Sequence, residues 1–312
     1  MLPVLLIGFN RPNLLHNAIL NLKSLGVNKL FISLDGPRIE SDIDNHKVVL
    51  EVASSFLKDF DLQIVYRDYN LGCNLGVVAA LDWFFSEVDF GIVLEDDCVI
   101  NNNTLDYFQS FYKSYTYFEN LGVRIASAHN PFITLPDSSF TQYVLICGWA
   151  SSKETWDLVR PNFFKFLLPA FFNKYTRSQP FHDKIFWWAS STRAKIGGVD
   201  TWDGIFADCV MRMGAKTMVP AQNLIENVGF GPSATHTKDE HGSIFVSVNE
   251  EITNFEIDSL LKTHYFKIKK RHGFTPFLKV IADILKINGK KNFENLLAMD
   301  KIKQKKLVSI QQ

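Results

Sequence analysis

Short apolar runs alternate with segments of helical periodicity over the first 130 residues of the chain. Three segments place apolar residues three or four positions apart, which predicts helices over residues 12–25, about 42–58 and about 74–86. The runs between them have strand length and are apolar on both faces, as buried parallel strands are. In chain order they read PVLLIGF, LFISLDG, LQIVYRD and FGIVLEDD. This β-α-β alternation predicts an α/β fold with a mixed, mainly parallel central sheet flanked by helices.

The pattern becomes less regular after residue 120. VRIASAHN and YVLICGWASS predict two strands, and a helix over about 202–213 precedes a strand around KTMVP. Residues 161–188 are aromatic and irregular, and the segment NVGFGPSATHT favours a loop. The sequence contains no internal repeat and no low-complexity linker. We therefore interpret residues 1–120 and 121–256 as two halves of one domain, followed by an extension over 257–312.

Charge is distributed unevenly along the 312 residues. Lys plus Arg and Asp plus Glu number 33 each, but thirteen of the basic residues and only three of the acidic ones follow residue 261. The chain is thus an acidic body with a basic C-terminal tail, and an acidic body argues against nucleic-acid binding. Within the tail, residues 276–287 have the apolar spacing of a helix and few acids. This spacing fits a helix on an anionic membrane surface or, equally, a solvated helix packed on the body.

The cysteines and the N-terminus both favour a cytoplasmic protein. Four cysteines lie far apart among apolar neighbours without CxxC spacing, so we interpret them as reduced core residues. The start, MLPVLLIGFNRP, lacks the basic region and cleavage site of a signal peptide, and its apolar run is too short to cross a bilayer. We interpret this run as the first strand. The cysteines are Cys73, Cys98, Cys147 and Cys209.

Polar side chains follow each of the four predicted strands. In open sheets of this type ligands bind at the carboxyl ends of the strands, although any single loop is polar by default. The fourth strand ends in three consecutive carboxylates, Glu95, Asp96 and Asp97. The others are Asn10 and Arg11 after the first strand, Asp35 and Arg38 after the second, and Arg67 and Asn70 after the third.

Three adjacent carboxylates repel one another. Two of them about 4 Å apart repel by roughly 4 kcal/mol at an effective dielectric of 20, so a cation or a raised pKa has to relieve the crowding. Mg²⁺ or Mn²⁺ is an economical solution, because it binds one or two carboxylates and completes its shell with water and phosphate oxygens. The alternatives are a solvated acidic loop and a phosphoacceptor site of the receiver type. A receiver domain is much shorter and has an acidic pair after its first strand.

The order of four motifs resembles a known enzyme family. GFNRPNLLHNAILNL, FISLDGPR, YRDYNLGCNLGVVAALDWFF and LEDDCVINNNTLDYFQSFYKSY resemble the nucleotide-binding half of GT-A glycosyltransferases, most closely of the N-acetylglucosaminyltransferase I type. The resemblance extends from about Pro3 to His236. It implies a Rossmann-like GT-A domain in which residues 1–120 bind a nucleotide sugar and residues 121–256 bind the acceptor.

The resemblance also implies roles for individual residues. Arg11 and Asp35 would hold the uracil of a UDP-sugar donor. Asp97 would bind the metal ion and bridge it to the diphosphate, while Glu95 and Asp96 would contact the donor sugar and ribose. The alternatives for Arg11 and Asp35 are an ordinary salt-bridging residue and an ordinary turn residue.

Five further residues complete the expected donor and metal contacts. Arg67 and Asn70 belong to the donor site by their position after the third strand. Trp149, in GWASSKETW, resembles a residue under the donor sugar, and Trp202 precedes the candidate base; a buried structural Trp149 is an equal alternative. His236 of ATHT would bind the metal or the pyrophosphate, although a lone histidine usually does neither.

Transfer of a sugar also needs a group that accepts the proton of the acceptor hydroxyl. Trp202-Asp203 of TWDGIFADCV matches a Trp-Asp pair of the family in which the aspartate is the base of an inverting displacement. Asp203 is therefore the candidate catalytic residue. The alternative is that Asp203 only stabilises the first turn of its helix electrostatically. The family has a second aspartate where this chain has Gly204 and an arginine where it has Asp208.

The sequence thus predicts a metal-dependent, inverting glycosyltransferase that moves a sugar from a UDP-sugar to a surface polysaccharide or lipid-linked glycan. A cytoplasmic enzyme with a lipid-linked acceptor has reason to lie on the inner face of the membrane through its basic tail. One alternative is a glycoside hydrolase that pairs Asp203 with Glu95 or Asp97. Another is a non-catalytic protein that binds a nucleotide sugar or a glycan.

Overall fold

The computed structural model describes residues 1–130, 138–165, 181–229 and 308–310. The strands are β1 (Val4–Gly8), β2 (Lys29–Leu34), β3 (Asp61–Tyr66), β4 (Phe90–Glu95), β5 (Cys98–Ile100), β6 (Val123–Ser127), β7 (Ser139–Thr141), β8 (Trp149–Ser152), β9 (Lys216–Val219), β10 (Ile225–Asn227) and β11 (Val308–Ile310). The helices are α1 (Pro12–Ser24), α2 (Ile43–Ser55), α3 (Gly72–Glu87), α4 (Asn102–Lys113), α5 (Tyr115–Asn120), α6 (Lys153–Val159), α7 (Phe181–Lys195) and α8 (Asp203–Arg212).

Nine strands form one sheet in the order β11-β3-β2-β1-β4-β8-β6-β9-β7. The neighbours within β3-β2-β1-β4 are parallel, as are β6 and β9. β8 is antiparallel to β4 and β6, while β7 and β11 run antiparallel to β9 and β3. β5 and β10 form a separate antiparallel pair. The predicted α/β fold, with a mixed sheet whose parallel part carries the first four strands, is confirmed.

Helices cover both faces of the sheet because successive residues of each central strand point to opposite sides. Leu6 of β1 belongs to a buried cluster with Leu15 of α1, together with residues of α2 and α4. Its neighbour Leu5 belongs to the other cluster, with Phe84 of α3 and residues of α6 and α8. Burying each such side chain stabilises the fold by about 1.5–3 kcal/mol. The strands therefore sit between two apolar layers, and only their ends are free for polar groups.

The register of the parallel strands brings the predicted polar positions together. Ile7 of β1 lies beside Ser33 of β2 and Glu95 of β4, and Ser33 lies beside Val65 of β3. The four strands therefore end at nearly the same level. The residues that follow them line one edge of the sheet.

Three predicted elements differ from the observed ones. The strand predicted over residues 143–152 is confined to β8, since Gly148 has a φ of 61°, outside the β region, and the chain turns there. α3 begins at Gly72, earlier than predicted. α7 covers part of the stretch predicted to be irregular, where its many aromatic residues hid the helical period.

The basic tail lies almost entirely outside the described residues. Only Val308–Ile310 is described, as the edge strand β11 beside β3. The helix predicted over 276–287 and its membrane contact therefore stay predictions. Within the described ranges, no helix combines the length and apolar character that crossing a bilayer would require.

Close packing between β4 and α3 can be tested at Gly91. A Cβ at this position would lie 2.6 Å from Cε1 of Phe84 and 3.1 Å from the carbonyl oxygen of Pro3. We expect Gly91→Ala to lower the free energy of unfolding in urea by roughly 1–3 kcal/mol through overpacking. Adding Phe84→Leu should cost less in the Gly91→Ala background than in the wild type. Additive effects of the two changes would contradict this packing.

Candidate functional site

A cleft of about 300 Å³ lies at the carboxyl ends of β1, β2, β3 and β4. The first turn of α3 and the loop before α8 form its opposite wall. Seven of the eleven site residues predicted from the sequence line it: Arg11, Asp35, Arg67, Asn70, Glu95, Asp96 and Asp97. Asp200, Cys73, Asn227 and Gly229 join them.

The three carboxylates at the end of β4 share an arginine. Asp96 and Asp97 are buried, and Arg11 forms a two-point ion pair with Asp96 through Nε and Nη2. Its Nη2 also donates to Oδ2 of Asp97 at 3.1 Å. One guanidinium thus neutralises part of the charge of two adjacent acids. The predicted contact of Arg11 with uracil would require the guanidinium to leave this pair.

The third carboxylate relieves the crowding by holding a proton. Burial, followed by the charges of Asp97 and Asp96, raises the pKa of Glu95 to about 8. Burial also raises the pKa of Asp96 to about 6, although Arg11 opposes this rise. The repulsion between these carboxylates is therefore reduced in two ways. The guanidinium of Arg11 is the cation, and two of the acids have raised pKa values.

The end of β10, which pairs with β5, holds Asp97 in place. Asn227 of β10 donates from Nδ2 to Oδ1 of Asp97 at 3.3 Å, and the amide of Val228 donates to the backbone carbonyl of Asp97 at 2.9 Å. A Cβ on Gly229 would collide with the Asp97 carboxylate. Sequence reasoning missed Asn227 and Gly229, because nothing in the local pattern shows that β10 pairs with β5.

Asp35 binds the start of α3 from the end of β2. Its carboxylate accepts hydrogen bonds from the amides of Leu71 and Gly72 at 3.0 Å and from Nδ2 of Asn70 at 2.9 Å. Burial raises the pKa of Asp35, while these backbone hydrogen bonds and the charge of Arg67 oppose the rise. Asp35 and Asn70 therefore already have protein partners at the cleft wall.

Arg67 has an unused donor at the cleft. Its side chain is buried, and Nη1 donates to Oγ of Ser33 at 3.2 Å and to the carbonyl of Leu34 at 3.5 Å. Among the described residues, Nη2 is buried with no hydrogen-bond partner. A buried donor left unpaired costs about 1–3 kcal/mol, more when it is charged. Arg67 is thus prepared to bind an acceptor atom of a ligand.

Arg38 and Asn10 both bind the carboxylate of Asp42 at the outer rim of the cleft. Nε of Arg38 donates to Asp42 at 2.9 Å, and Nδ2 of Asn10 donates to the same carboxylate at 3.0 Å. The guanidinium of Arg38 lies 4.7 Å from the centroid of the Phe9 ring. This group forms a rigid lip on the side of the cleft away from α8.

Asp200 lines the cleft from the loop before α8, whereas Asp203, the predicted base, lies outside the lining. Asp200 accepts the amides of Cys73 and Asn74, both at 2.8 Å. Asp203 is exposed at the first turn of α8, where its Oδ1 accepts from the Thr201 hydroxyl and from the amide of Gly204. The loop before α8 and the start of α8 thus lie beside the first turn of α3.

The pKa of the Cys73 thiol is affected by acids of β4, of the loop before α8 and of α8 itself. Burial raises its pKa to about 12, and the charges of Glu95, Asp200 and Asp203 contribute to the rise. Asp203 also contributes to the raised pKa of Glu95. Glu95, Asp200 and Asp203 therefore all lie close enough to the Cys73 thiol for their charges to act on it.

Trp149 and Trp202 lie in the hydrophobic core. They are 2% and 4% exposed, and both rings pack against Phe206 of α8, with centroids 5.1 and 5.5 Å away. Neither ring belongs to the described lining of the cleft. Trp149 thus has the buried structural position that the sequence allowed as the alternative to a contact with the donor sugar. Trp202 is buried in the same way.

The predicted metal site is not assembled within the described residues. His236 lies outside them, and within them no group of three or more His, Cys, Asp or Glu side chains is arranged to hold an ion. The donor chemistry nevertheless fits Mg²⁺ or Mn²⁺, because these ions need only one or two carboxylates when water and phosphate supply the rest. Asp97 is the best placed of the three acids, provided that Arg11 releases Oδ2.

Comparisons with known proteins find only distant structural similarities. No protein-family model and no curated protein matches the chain. Among solved structures, mannose-1-phosphate geranyltransferase of Thermus thermophilus is 9% identical, with 72% of this chain and 76% of that chain covered and a TM-score of 0.35. Mouse xyloside xylosyltransferase 1 is 12% identical (67% and 81% covered, TM-score 0.32). HddC of Yersinia pseudotuberculosis with GMP-PN is 14% identical (50% and 78% covered, TM-score 0.32).

The raised pKa of Glu95 predicts a pH dependence of stability. Between pH 4.5, its ordinary value, and about 8, the folded protein holds a proton that the unfolded chain has lost, so stability falls as pH rises. Glu95→Gln removes this effect. We expect the free energy of unfolding of Glu95→Gln, taken relative to wild type, to increase by at least about 1.4 kcal/mol between pH 5 and pH 8. This is the free energy that corresponds to one pKa unit.

Urea denaturation at both pH values in the presence of EDTA measures this difference. The matched control is Glu226→Gln, since Glu226 is exposed on β10. For the control we expect the same difference from wild type at pH 5 and pH 8. Parallel pH curves for Glu95→Gln and wild type would refute the raised pKa.

Proposed function

We propose that the protein is a metal-dependent, inverting glycosyltransferase that moves a sugar from a UDP-sugar to a glycan acceptor. The observation that carries this proposal is the grouping of acids around one cleft. Glu95, Asp96 and Asp97 lie at the end of β4, and Asp200 lines the cleft from the loop before α8. Asp203 begins α8 three residues further on, outside the lining. The end of β4 suits a charged diphosphate with its cation, and the start of α8 suits a proton acceptor.

The donor nucleotide would bind along the ends of β1, β2 and β3. Arg67 supplies a buried donor for an acceptor atom of the base or ribose, since its Nη2 has no partner among the described residues. Asp35 and Asn70 lie beside it and are held rigidly by α3. Arg11 would exchange its carboxylate partners for the nucleotide.

Asp97 is the proposed metal ligand, with Glu95 and Asp96 toward the donor sugar and ribose. A bound Mg²⁺ or Mn²⁺ would neutralise the diphosphate as it leaves. Asn227 and Val228 orient Asp97 for this role. His236 stays a further candidate ligand on the strength of the sequence resemblance.

Asp203 is the proposed base. Its carboxylate is exposed and hydrogen-bonded to the Thr201 hydroxyl, which fixes the side chain at the start of α8. In the proposed reaction the acceptor hydroxyl attacks the anomeric carbon, the bond to the UDP oxygen breaks, and Asp203 takes the hydroxyl proton. A glycan or lipid-linked glycan acceptor, and contact of the basic tail with the inner membrane surface, complete the proposal.

One observation favours a glycoside hydrolase as the second candidate. Glu95 is a carboxyl group whose raised pKa suits a general acid, and the charge of Asp203 contributes to that rise. A hydrolase would need no nucleotide. Cleavage of nitrophenyl glycosides without UDP-sugar or metal would favour this alternative over the transferase.

Nucleotide binding tests the donor site. We expect UDP to bind in calorimetry with Mn²⁺ present and to bind at least about tenfold more weakly in EDTA, a loss of about 1.4 kcal/mol. Asp97→Asn should cause a similar loss, because the metal would have lost its carboxylate ligand. The control Asp61→Asn changes an exposed acid at the start of β3 and should bind like wild type. Binding that EDTA leaves unchanged would contradict metal dependence.

Donor hydrolysis tests the base. A panel of UDP-sugars identifies the donor that wild type hydrolyses fastest, with water in place of the acceptor. Asp203→Asn should lower that rate roughly 10²–10⁴-fold, the usual contribution of a general base, without weakening UDP binding. The exposed Asp157→Asn serves as the control. A wild type that binds UDP but hydrolyses no donor would favour a binding protein.

A further inference from the structure

We propose that Asp200 is a positioning residue that holds Asp203 at a fixed place relative to the donor site. The inference rests on the proposed function, since it names a role within the same reaction. It concerns four consecutive backbone amides, those of Leu71, Gly72, Cys73 and Asn74, here called the α3 amide row. Asp200 would act on Asp203 through this row.

Two acids from opposite halves of the chain share the α3 amide row. Asp35, at the end of β2, accepts the amides of Leu71 and Gly72. Asp200 accepts the next two, those of Cys73 and Asn74, with one carboxylate oxygen on each. The first amides of a helix have no partner within the helix, so an acid that binds them is held by hydrogen bonds and by the helix dipole.

Gly72 makes the approach of Asp200 possible. Its φ is 81°, a backbone conformation that glycine adopts readily. A Cβ on this residue would lie 2.5 Å from Oδ2 of Asp200. Any larger residue would push the carboxylate off the α3 amide row.

The chain between Asp200 and Asp203 is short and anchored at both ends. Trp202 is 4% exposed and packs on Trp149 and Phe206, so the segment cannot rotate freely. Thr201 contacts Asp203 directly through its hydroxyl. Fixing Asp200 on α3 therefore fixes the position of Asp203 relative to the first turn of α3, which lines the cleft.

The α3 amide row thus connects the donor side of the proposed site to its acceptor side through the backbone of α3. On the donor side Asp35 contacts the α3 amide row, and on the acceptor side Asp200 contacts it. A base that is misplaced by about 1 Å can lose 10²-fold in rate. Loss of the Asp200 contact should therefore affect proton transfer far more than binding of the nucleotide, since Asp35 keeps its own two amides.

Two readouts on the full chain test the role of Asp200. In hydrogen exchange followed by mass spectrometry, Asp200→Ala should speed exchange in peptides covering residues 72–76 and 200–206. In donor hydrolysis it should lower kcat by about 10- to 100-fold while the Kd for UDP changes less than about twofold. Asp200→Asn keeps one acceptor oxygen and should give intermediate values of both.

Asp82→Ala is the matched control, because Asp82 lies on the same helix and accepts from Trp156 and Arg160 away from the cleft. It should lower the Tm and leave kcat and exchange at residues 200–206 unchanged. Unchanged exchange in Asp200→Ala, or a kcat no lower than that of Asp82→Ala, would overturn the proposal. A wild type without UDP binding refutes the proposed function instead, and the exchange data still decide whether Asp200 anchors the two walls.

Discussion

Electrostatic repulsion among the three carboxylates at the end of β4 is the constraint on which the arrangement of the rest of the cleft depends. The apolar strand holds Glu95, Asp96 and Asp97 side by side, and their surroundings compensate the charge in two ways. Arg11 pairs with Asp96 and Asp97, and Glu95 has a pKa high enough to keep its proton at neutral pH. A metal ion that bound there would have to displace the arginine and the proton, so both forms of compensation compete with it.

The start of α3 explains how this cleft differs from a phosphate-binding loop of the Rossmann type. In such loops the free amides of a helix N-terminus bind the phosphate directly. Here Asp35 and Asp200 occupy the four amides from Leu71 to Asn74. An anionic ligand would therefore have to bind side-chain cations, or the metal ion of the proposed function. Arg67, with its unpartnered Nη2 among the described residues, is the side chain best prepared for it.

Much of the fold and part of the site could be predicted from local sequence patterns. Alternation of apolar runs and helical periods gave the first four strands and three helices, and the strand ends pointed to Asp35, Arg67 and the three acids. Trp149 and Trp202 could not be separated from ligand contacts in this way, because a stacking tryptophan and a core tryptophan have the same local sequence signal. Asn227 and Gly229 were missed since each acts on Asp97 through a contact more than 120 residues away along the chain.

The sequence by itself determined which residues follow the parallel strands, because strand order along the chain and the apolar period are local properties. It also determined that the acids would need a cation or a proton. Only the tertiary structure decided which of these remedies each acid uses, since Arg11 reaches Asp96 across 85 positions of the chain. It likewise decided that Asp200 shares the start of α3 with Asp35. Pairings of this kind depend on how the sheet and helices pack, and packing brings together residues that no local pattern relates.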